Sequence, residues 1–377
     1  MKFRKSQTGL TIIEIMIALL LSLFLMGGVI AVYSTTKQTY RITENLSRVQ
    51  ESLRFSMDLL AKDVRMAGYM PCRYQANLSN ILTGGGAVWW QDFFNTGLAG
   101  FEGGVSTFPA SLPAVGTNPG DRVIGADAIA IFKGSEFESS VLAHDLGARS
   151  ITLQRDIPSP AAIEEGEVVI VCDSFQATML QISNSTPITN RIFYNETATN
   201  ISPGNCTAGL GSPNTVVCGA PGSGQPYTFG SDAQVVKYSP VIYYIRESEN
   251  TPGVKSLYRE FFEARLTAGV ETATMIAEEL LQGIETMQVR YGHDTDADGV
   301  ANQYVIASAL TAAQWPEVVA VQIGLIMVSG EELSTNIDTS TYNVAGTLIS
   351  DSSTPAHPAD RKHRQVVNTT ITMRNRN

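Results

Sequence analysis

The stretch that decides the architecture lies near the start of the chain, where residues 10–33 read LTIIEIMIALLLSLFLMGGVIAVY. Glu14 is its only charged residue, and three basic residues, Lys2, Arg4 and Lys5, precede it. A helix rises about 1.5 Å per residue, so about 20 apolar residues cross the roughly 30 Å apolar layer of a membrane. The stretch therefore predicts a membrane-spanning helix, with the basic end in the cytoplasm and the rest of the chain exported.

Glu14 is the anomaly in this helix, because a carboxylate at the bilayer centre costs roughly 2.5 to 3.5 kcal/mol. It is the fifth residue after Gly9, and the run KSQTGLTIIE (residues 5–14) resembles the class III signal of type IV pilins and type II secretion pseudopilins. The resemblance implies that prepilin peptidase cuts between Gly9 and Leu10 and methylates the new N-terminus, with Glu14 retained. The plainer alternative is a signal anchor that tolerates an acid near the membrane interface.

The second helical signal follows directly. From Ile42 to Ala67, apolar residues recur every three or four positions, and no proline occurs between residues 10 and 70. That period places the apolar residues on one stripe of an amphipathic helix. We expect one continuous helix, apolar over 10–33 and amphipathic over 34–70, which Gly68 and Pro71 end. The alternative is an anchor followed by an independent coiled coil.

The remaining residues, 71–377, predict one large β-rich domain. β-branched and aromatic runs bounded by turn residues predict antiparallel strands, and no βαβ repeat is present, so the expected fold class is α+β. A short helix is expected over Met275–Leu281. Long loops are predicted over 74–120, 200–230 and 334–364. The six tryptophan and phenylalanine residues of the first loop are expected to pack on the domain or, alternatively, to form a binding patch. The predicted strands are 128–132, 150–154, 168–172, 177–182, 191–194, 235–237, 241–246, 256–260, 287–291, 318–328 and 366–373.

The amino-acid composition and the charge limit the classes of function that are expected. The chain has 377 residues, of which 44% are hydrophobic, enough for a sizeable core. Without residues 1–9 it carries 23 basic and 36 acidic residues. Phosphate binding needs a basic surface, so nucleic-acid binding is not expected as the main role.

The cysteines indicate disulfides. Cys72, Cys172, Cys206 and Cys218 all follow the anchor, in the oxidising compartment, and none forms a C-x-x-C motif. Of the three possible pairings we prefer Cys72 with Cys172 and Cys206 with Cys218.

One local motif suggests a metal. Residues 294–299 read DTDADG, and alternating acids on a tight loop direct several oxygens at one hard cation, as in the first half of an EF-hand loop. Val305 stands where that loop would have a bidentate glutamate, so Glu285 or another acid would have to complete the shell. An ordinary acidic β-turn is the alternative. The candidate calcium ligands are Asp294, Asp296, Asp298, the carbonyl of Val300, and Asn302.

Catalytic motifs were not found in the sequence. The four histidines have no H-E-x-x-H spacing, and there is no G-x-S-x-G nucleophile elbow. We therefore expect that the protein is not an enzyme.

Taken together, the leader, the continuous helix, DTDADG after VRYG and the final TMRNRN resemble the PilW-type minor pilins of the type IV pilus. The resemblance implies a minor subunit that initiates pilus assembly in the inner membrane, with a periplasmic domain, and then sits at or near the pilus tip. Its implied partners are the prepilin peptidase, the major pilin, other minor pilins and an adhesin-like tip protein. The helix-breaking proline of major pilins is absent here, and Gly27 and Gly28 are the local weak points of the apolar half.

Three other functions remain open. A type II secretion pseudopilin of the J type shares the leader but usually has a shorter domain. A membrane-anchored adhesive or carbohydrate-binding protein would use calcium and the aromatic loop. An exported hydrolase is a third alternative, which the missing catalytic motifs oppose.

Overall fold

The computed structural model describes residues 9, 11–72, 77–84, 89–91, 97–103, 108–109, 112–157, 163–186, 190–196, 198–212 and 224–374. In these residues, one long helix, α1 (Ile12–Arg65), precedes twenty strands. The strands are β1 (Asn77–Asn80), β2 (Leu98–Phe101), β3 (Ala128–Ile131), β4 (Gly134–Asp145), β5 (Ser150–Leu153), β6 (Val168–Cys172), β7 (Gln176–Gln181), β8 (Asn184–Thr186), β9 (Arg191–Phe193), β10 (Ile201–Ser202), β11 (Gln234–Tyr238), β12 (Val241–Glu247), β13 (Lys255–Thr267), β14 (Val270–Gln282), β15 (Ile284–His293), β16 (Gln303–Val305), β17 (Val318–Glu332), β18 (Tyr342–Val344), β19 (Thr347–Ile349) and β20 (Lys362–Thr372).

Helix α1 is continuous over 54 residues and passes through Gly27 and Gly28 without interruption. Its C-cap is Met66, and Gly68 then adopts a φ of 72°, a conformation that favours glycine. The N–H of Gly68 donates to the carbonyl of Phe132, which ties the helix end to the end of β3. The prediction of one helix with an apolar and an amphipathic half is confirmed.

The strands form four sheets. The first has the order β1-β7-β6-β11-β4-β5-β9-β8, the second β10-β14-β13-β12-β3-β2, the third β16-β15-β17-β20, and β18 pairs with β19. Among these strands, β1 with β7 and β10 with β14 are the parallel pairs, and the other paired strands are antiparallel. The predicted α+β class is confirmed.

The sheets and the helix stack in layers. One face of the six-stranded sheet packs against the eight-stranded sheet through β3, β12 and β13 on one side and β6, β7 and β11 on the other. The opposite face of β3 and β12 joins the amphipathic half of α1 and the four-stranded sheet in a second core. The helix residues buried in this second core are Val49, Leu53, Met57, Leu60, Ala61 and Val64.

Asp63 fixes the buried face of the helix. Its carboxylate pairs with Lys133 and accepts a 2.6 Å hydrogen bond from the hydroxyl of Tyr243. Lys133 follows β3 and Tyr243 lies on β12, so the two contacts join this face of the helix to the six-stranded sheet. Charge pairing compensates the cost of burying the carboxylate.

Aromatic residues of the long loop pack on the domain, in agreement with the preferred interpretation. The ring centroids of Trp90 and Phe262 lie 5.2 Å apart, and those of Trp89 and Phe132 lie 5.8 Å apart. Phe101 lies 5.6 Å from Phe108. Phe93 and Phe94, from the same sequence cluster, lie outside the described residues.

The helix predicted over Met275–Leu281 is wrong, because these residues belong to β14. Alanine, methionine, glutamate and leucine favour helix in isolation, but β13 pairs with β14 along nearly its whole length. The sequence also left eight strands unpredicted. The polar residues of β4 mask its alternation, and β8 and β16 have only three residues each. The segments predicted as long loops contain the other five, β1 and β2 in 74–120, β10 in 200–230, and β18 and β19 in 334–364, because strands of two to four residues are too short to show a period. Each of the eleven predicted strand segments overlaps an observed strand, with shifts at the ends.

Candidate functional site

Glu14 lies in the first turn of α1, where it takes part in a capping box with Thr11. The N–H and the hydroxyl of Thr11 both donate to Oε2 of Glu14 at 2.9 Å, and the Glu14 N–H donates back to the hydroxyl at 3.3 Å. This arrangement satisfies two backbone donors that a helix start leaves free. The T-x-x-E spacing of Thr11 and Glu14 is a local sequence signal for this box.

The apolar half of α1 projects away from the domain. Its large side chains are all well exposed, from 47% at Ile15 to 81% at Phe24. The helix is long and apolar enough to cross a membrane. Such an area of exposed apolar surface requires either lipid or other helices around it, which is consistent with a single-pass membrane anchor.

The acidic loop connects β15 to β16 and is organised around Asp294. Oδ1 of Asp294 accepts hydrogen bonds from the N–H groups of Asp296 and Ala297, and Oδ2 accepts one from Gly299 at 2.8 Å. Burial raises the pKa of the Asp294 carboxyl, but these N–H donors favour the carboxylate more strongly, so its pKa is lowered overall. The loop therefore holds Asp294 ionised.

The structure brings the three predicted aspartates together. One carboxylate oxygen each from Asp294, Asp296 and Asp298 lies within 4.8 Å of the others. Asp296 and Asp298 are exposed, whereas Asp294 is only 6% exposed. The three oxygens suit a hard cation such as calcium, which binds carboxylates with flexible geometry.

The other candidate ligands are placed less favourably. Oδ1 of Asn302 accepts hydrogen bonds from both the N–H and the hydroxyl of Thr295, at 2.6 and 3.0 Å. Glu285 makes a two-point contact with Arg364 instead of facing the loop. The Val300 N–H donates to Oδ1 of Asp298. The role of the Val300 carbonyl as a calcium ligand stays a prediction.

A neighbouring acid at the loop, Glu317, was missed. Its Oε2 lies 2.6 Å from Nε2 of His293, and its carbonyl accepts the N–H of Asp294. Glu317 precedes β17 and follows Asp294 by more than twenty residues, so the spacing of residues in the loop could not predict that it lies there. His293 is thus engaged with an acid beside the loop rather than free.

The predicted disulfide between Cys72 and Cys172 is present. It joins the segment after α1 to the end of β6. Cys206 also takes part in a disulfide, whereas Cys218, its preferred partner, lies outside the described residues. The predicted cleavage site is described only at Gly9, since Leu10 also lies outside.

Comparison with known families identifies a similarity in the carboxyl-terminal part. A family model described as Type IV Pilus-assembly protein W, PilW, matches residues 242–375. This PilW-matching region starts in β12 and contains the β13–β14 hairpin, the acidic loop and the four-stranded sheet. The match supports an association of the chain with type IV pilus assembly. Comparisons with curated proteins and with solved structures gave no match.

Proposed function

We propose that this protein is a minor pilin that helps to initiate type IV pilus assembly and sits at or near the pilus tip. The observation that carries the proposal is the PilW-matching region, joined through the same chain to an apolar helix that projects from the domain. The role is structural rather than catalytic. The same match favours the pilus over the secretion pseudopilin and over a stand-alone adhesive protein.

The mechanism follows from the two environments of α1. Before assembly, lipid surrounds the apolar half and the domain lies in the periplasm. After cleavage between Gly9 and Leu10, the helix moves from lipid into a bundle of other subunits' helices, namely those of the major pilin and other minor pilins. In that apolar bundle, the Glu14 carboxylate pairs with the terminal amine of a neighbouring subunit, which offsets the cost of the buried acid and fixes the axial register.

Replacing Glu14 tests this mechanism. Both Glu14→Ala and Glu14→Gln should strongly reduce recovery of the protein in sheared pili while leaving membrane insertion intact, since both remove the charge. Glutamine keeps the capping box, because it still accepts from the Thr11 backbone. The measurement is quantitative immunoblotting of sheared pili against total membranes.

The glutamine variant separates the two roles of Glu14. If Glu14→Gln assembles like the wild type and only Glu14→Ala fails, the residue acts as a helix cap and the pairing mechanism is wrong. Intact-mass analysis of both membrane forms serves as the control, because each should begin at a methylated Leu10. A defect in processing would otherwise imitate a defect in assembly.

We propose in addition that the acidic loop binds calcium through Asp294, Asp296 and Asp298. Three carboxylates within 4.8 Å repel one another unless a cation neutralises them. A ligand that binds only the folded form stabilises it by about 2.7 kcal/mol at a hundredfold excess over its Kd. Calcium should accordingly raise the Tm of the full chain in detergent micelles, and magnesium, which demands a tighter octahedral shell, should raise it less.

Asp296→Asn should abolish the calcium increment, because it removes one of the three charges with almost no change in shape. Asp351→Asn, at an exposed acid outside the loop, is the matched control and should keep the increment. Differential scanning calorimetry with calcium or with chelator makes the comparison. An unchanged Tm for the wild type in the two conditions would identify the loop as a plain acidic turn.

A further inference from the structure

The strand β14 presents a long free edge. It has 13 residues and is hydrogen-bonded to β13 on one side. On the other side, the two-residue strand β10 pairs only with Glu271 and Thr272. The N–H of Ala273 also belongs to this pair, since the parallel register of Ser202 with Thr272 directs it at the Ser202 carbonyl. Among the residues that the structure describes, no strand pairs with the rest of this side, from Thr274 to Gln282. We call this stretch the free edge.

The register shows which backbone groups face outward. Ala268 and Gly269, both with positive φ, form the two-residue hairpin turn, and Thr267 faces Val270 across it. In such hairpins the flanking pair is hydrogen-bonded and the pattern then alternates, so the backbone N–H of Glu271 points outward. It donates to the carbonyl of Asn200, as expected.

The same alternation carries along the free edge. Met275 and Ala277 direct their N–H and C=O groups away from β13, up to the register shift near Leu257 and Tyr258. Ala277 also has an exposed side chain. In the part of the chain that the structure describes, these backbone donors and acceptors face no other strand, and they have the spacing of a strand.

The free edge has only part of the usual protection against pairing. Edges are blunted by short length, by bulges, by proline and by charged residues, lysine above all. Glu278, Glu279 and the register shift protect the far end of β14, but the stretch around Met275 and Ala277 has none of these features. The edge strands β1, β2, β8 and β16 have three or four residues each, and the long edge strand β20 begins with Lys362 and His363. The sequence of β14, VETATMIAEELLQ, contains neither proline nor lysine.

Charge at one end of the free edge favours a cationic partner. Glu164 and Glu165, from the turn before β6, lie near Glu271. Burial, and then the charges of Glu165 and Glu164, raise the pKa of the Glu271 carboxyl. Glu165 accepts a hydrogen bond from Asn200, which brings no positive charge. A strand added along 274–282 would end next to Glu271, and a lysine or arginine at that end would relieve this repulsion.

We propose that the free edge of β14 accepts an extended segment with lysine or arginine at its end, supplied by another subunit of the assembly, as an added strand. When a strand is added to a sheet edge, main-chain hydrogen bonds supply the affinity. The acidic residues at one end of the free edge then favour a partner that carries positive charge there. The inference rests on the proposed function for the identity of the partner. The free edge itself can be tested without a pilus.

Ala277→Pro is the test variant, because it removes one outward N–H and leaves every hydrogen bond to β13 in place. Proline is tolerated in edge strands where the N–H faces solvent. Ala277→Ser keeps the N–H and is the matched control. The probe is a short fluorescent peptide of alternating valine and threonine with a lysine at each end, added to the full chain in detergent micelles.

We expect the peptide to bind the wild type and Ala277→Ser equally, and Ala277→Pro about tenfold more weakly by fluorescence anisotropy. A peptide methylated at alternate backbone nitrogens should not bind, which tests the ladder without any change in the protein. A peptide with glutamates in place of the terminal lysines should also bind more weakly. In Glu271→Gln, the difference in affinity between the lysine peptide and the glutamate peptide should be smaller than in the wild type. Equal binding of the plain and the N-methylated peptide, or no binding of either, would overturn the proposal.

The peptide-binding experiment and the Glu14 experiment can fail independently, so failure of the edge proposal can be told apart from failure of the proposed function. If the lysine peptide binds as expected but Glu14→Ala and Glu14→Gln both enter pili normally, the edge inference stands and the helix mechanism falls. If the Glu14 variants fail to assemble and the peptide does not bind, the reverse holds.

Discussion

Replacing Arg364 by methionine should lower the free energy of unfolding by about 3 to 5 kcal/mol, because it leaves buried carboxylates without their cation. The Arg364 side chain is fully buried. It contacts Glu285 on β15 through Nε and Nη2, at 2.7 and 3.0 Å, and also pairs with Asp338 and Asp360. Methionine keeps the aliphatic part of the side chain and lacks the guanidinium, so the loss reports the missing charge and hydrogen bonds together with the space that the guanidinium filled.

Arg361→Met is the matched control. Arg361 is an exposed residue three positions earlier, and surface substitutions usually change stability by less than about 0.5 kcal/mol. Both variants are measured as full chains in detergent micelles, by chemical denaturation followed through tryptophan fluorescence. Similar midpoints for the two variants would mean that the three carboxylates do not depend on Arg364.

The same cluster predicts a dependence on pH. Partial burial raises the pKa of the Asp338 carboxyl, but hydrogen bonds from Ser340, Tyr342 and Arg364 outweigh it and lower the pKa from 3.8 to about 2. A carboxyl with a lowered folded pKa contributes stability that is complete above its unfolded pKa and is lost as the pH falls through the folded value. The wild type should therefore lose this contribution between about pH 4 and pH 2, and Arg364→Met should lose less there.

The structural features that were predicted correctly are those that depend on residues close together in the sequence. The apolar stripe from Val49 to Val64 predicted the buried face of α1. Runs of β-branched residues, such as that of β6, predicted the central strands. The aspartates of the acidic loop are two residues apart, so their convergence was also predictable. Each of these features depends on a few adjacent residues, as hydrophobic periodicity and turn chemistry do.

Features that depend on distant parts of the chain were not predictable from one sequence. Arg364 and Glu285 are 79 residues apart, and no charge pattern near either points to the other. The assignment of 275–281 failed for the same reason, since pairing with β13 overrides the helical preference of the residues. The capping box at Thr11 differs, because its signal was local and was overlooked.

Removal of the Cys72–Cys172 disulfide should cost about 4.7 kcal/mol, the chain-entropy value for a loop of about 100 residues. The two cysteines are separated by 100 positions, and the bridge ties the chain after α1 to the buried end of β6. Because the cross-link restricts the unfolded chain far more than the folded one, its loss should appear mainly as a lower midpoint of denaturation. The variant is Cys72→Ala/Cys172→Ala in the full chain.

The single variant Cys172→Ala provides the control for packing. It removes the cross-link as the double variant does, so the two should agree within about 0.5 kcal/mol. Reductant is unsuitable for this comparison, because Cys206 is also in a disulfide and would be reduced together with the pair. If the double variant keeps the wild-type free energy of unfolding, the segment after α1 must already be held in the unfolded chain, and the entropic account of this bridge is wrong.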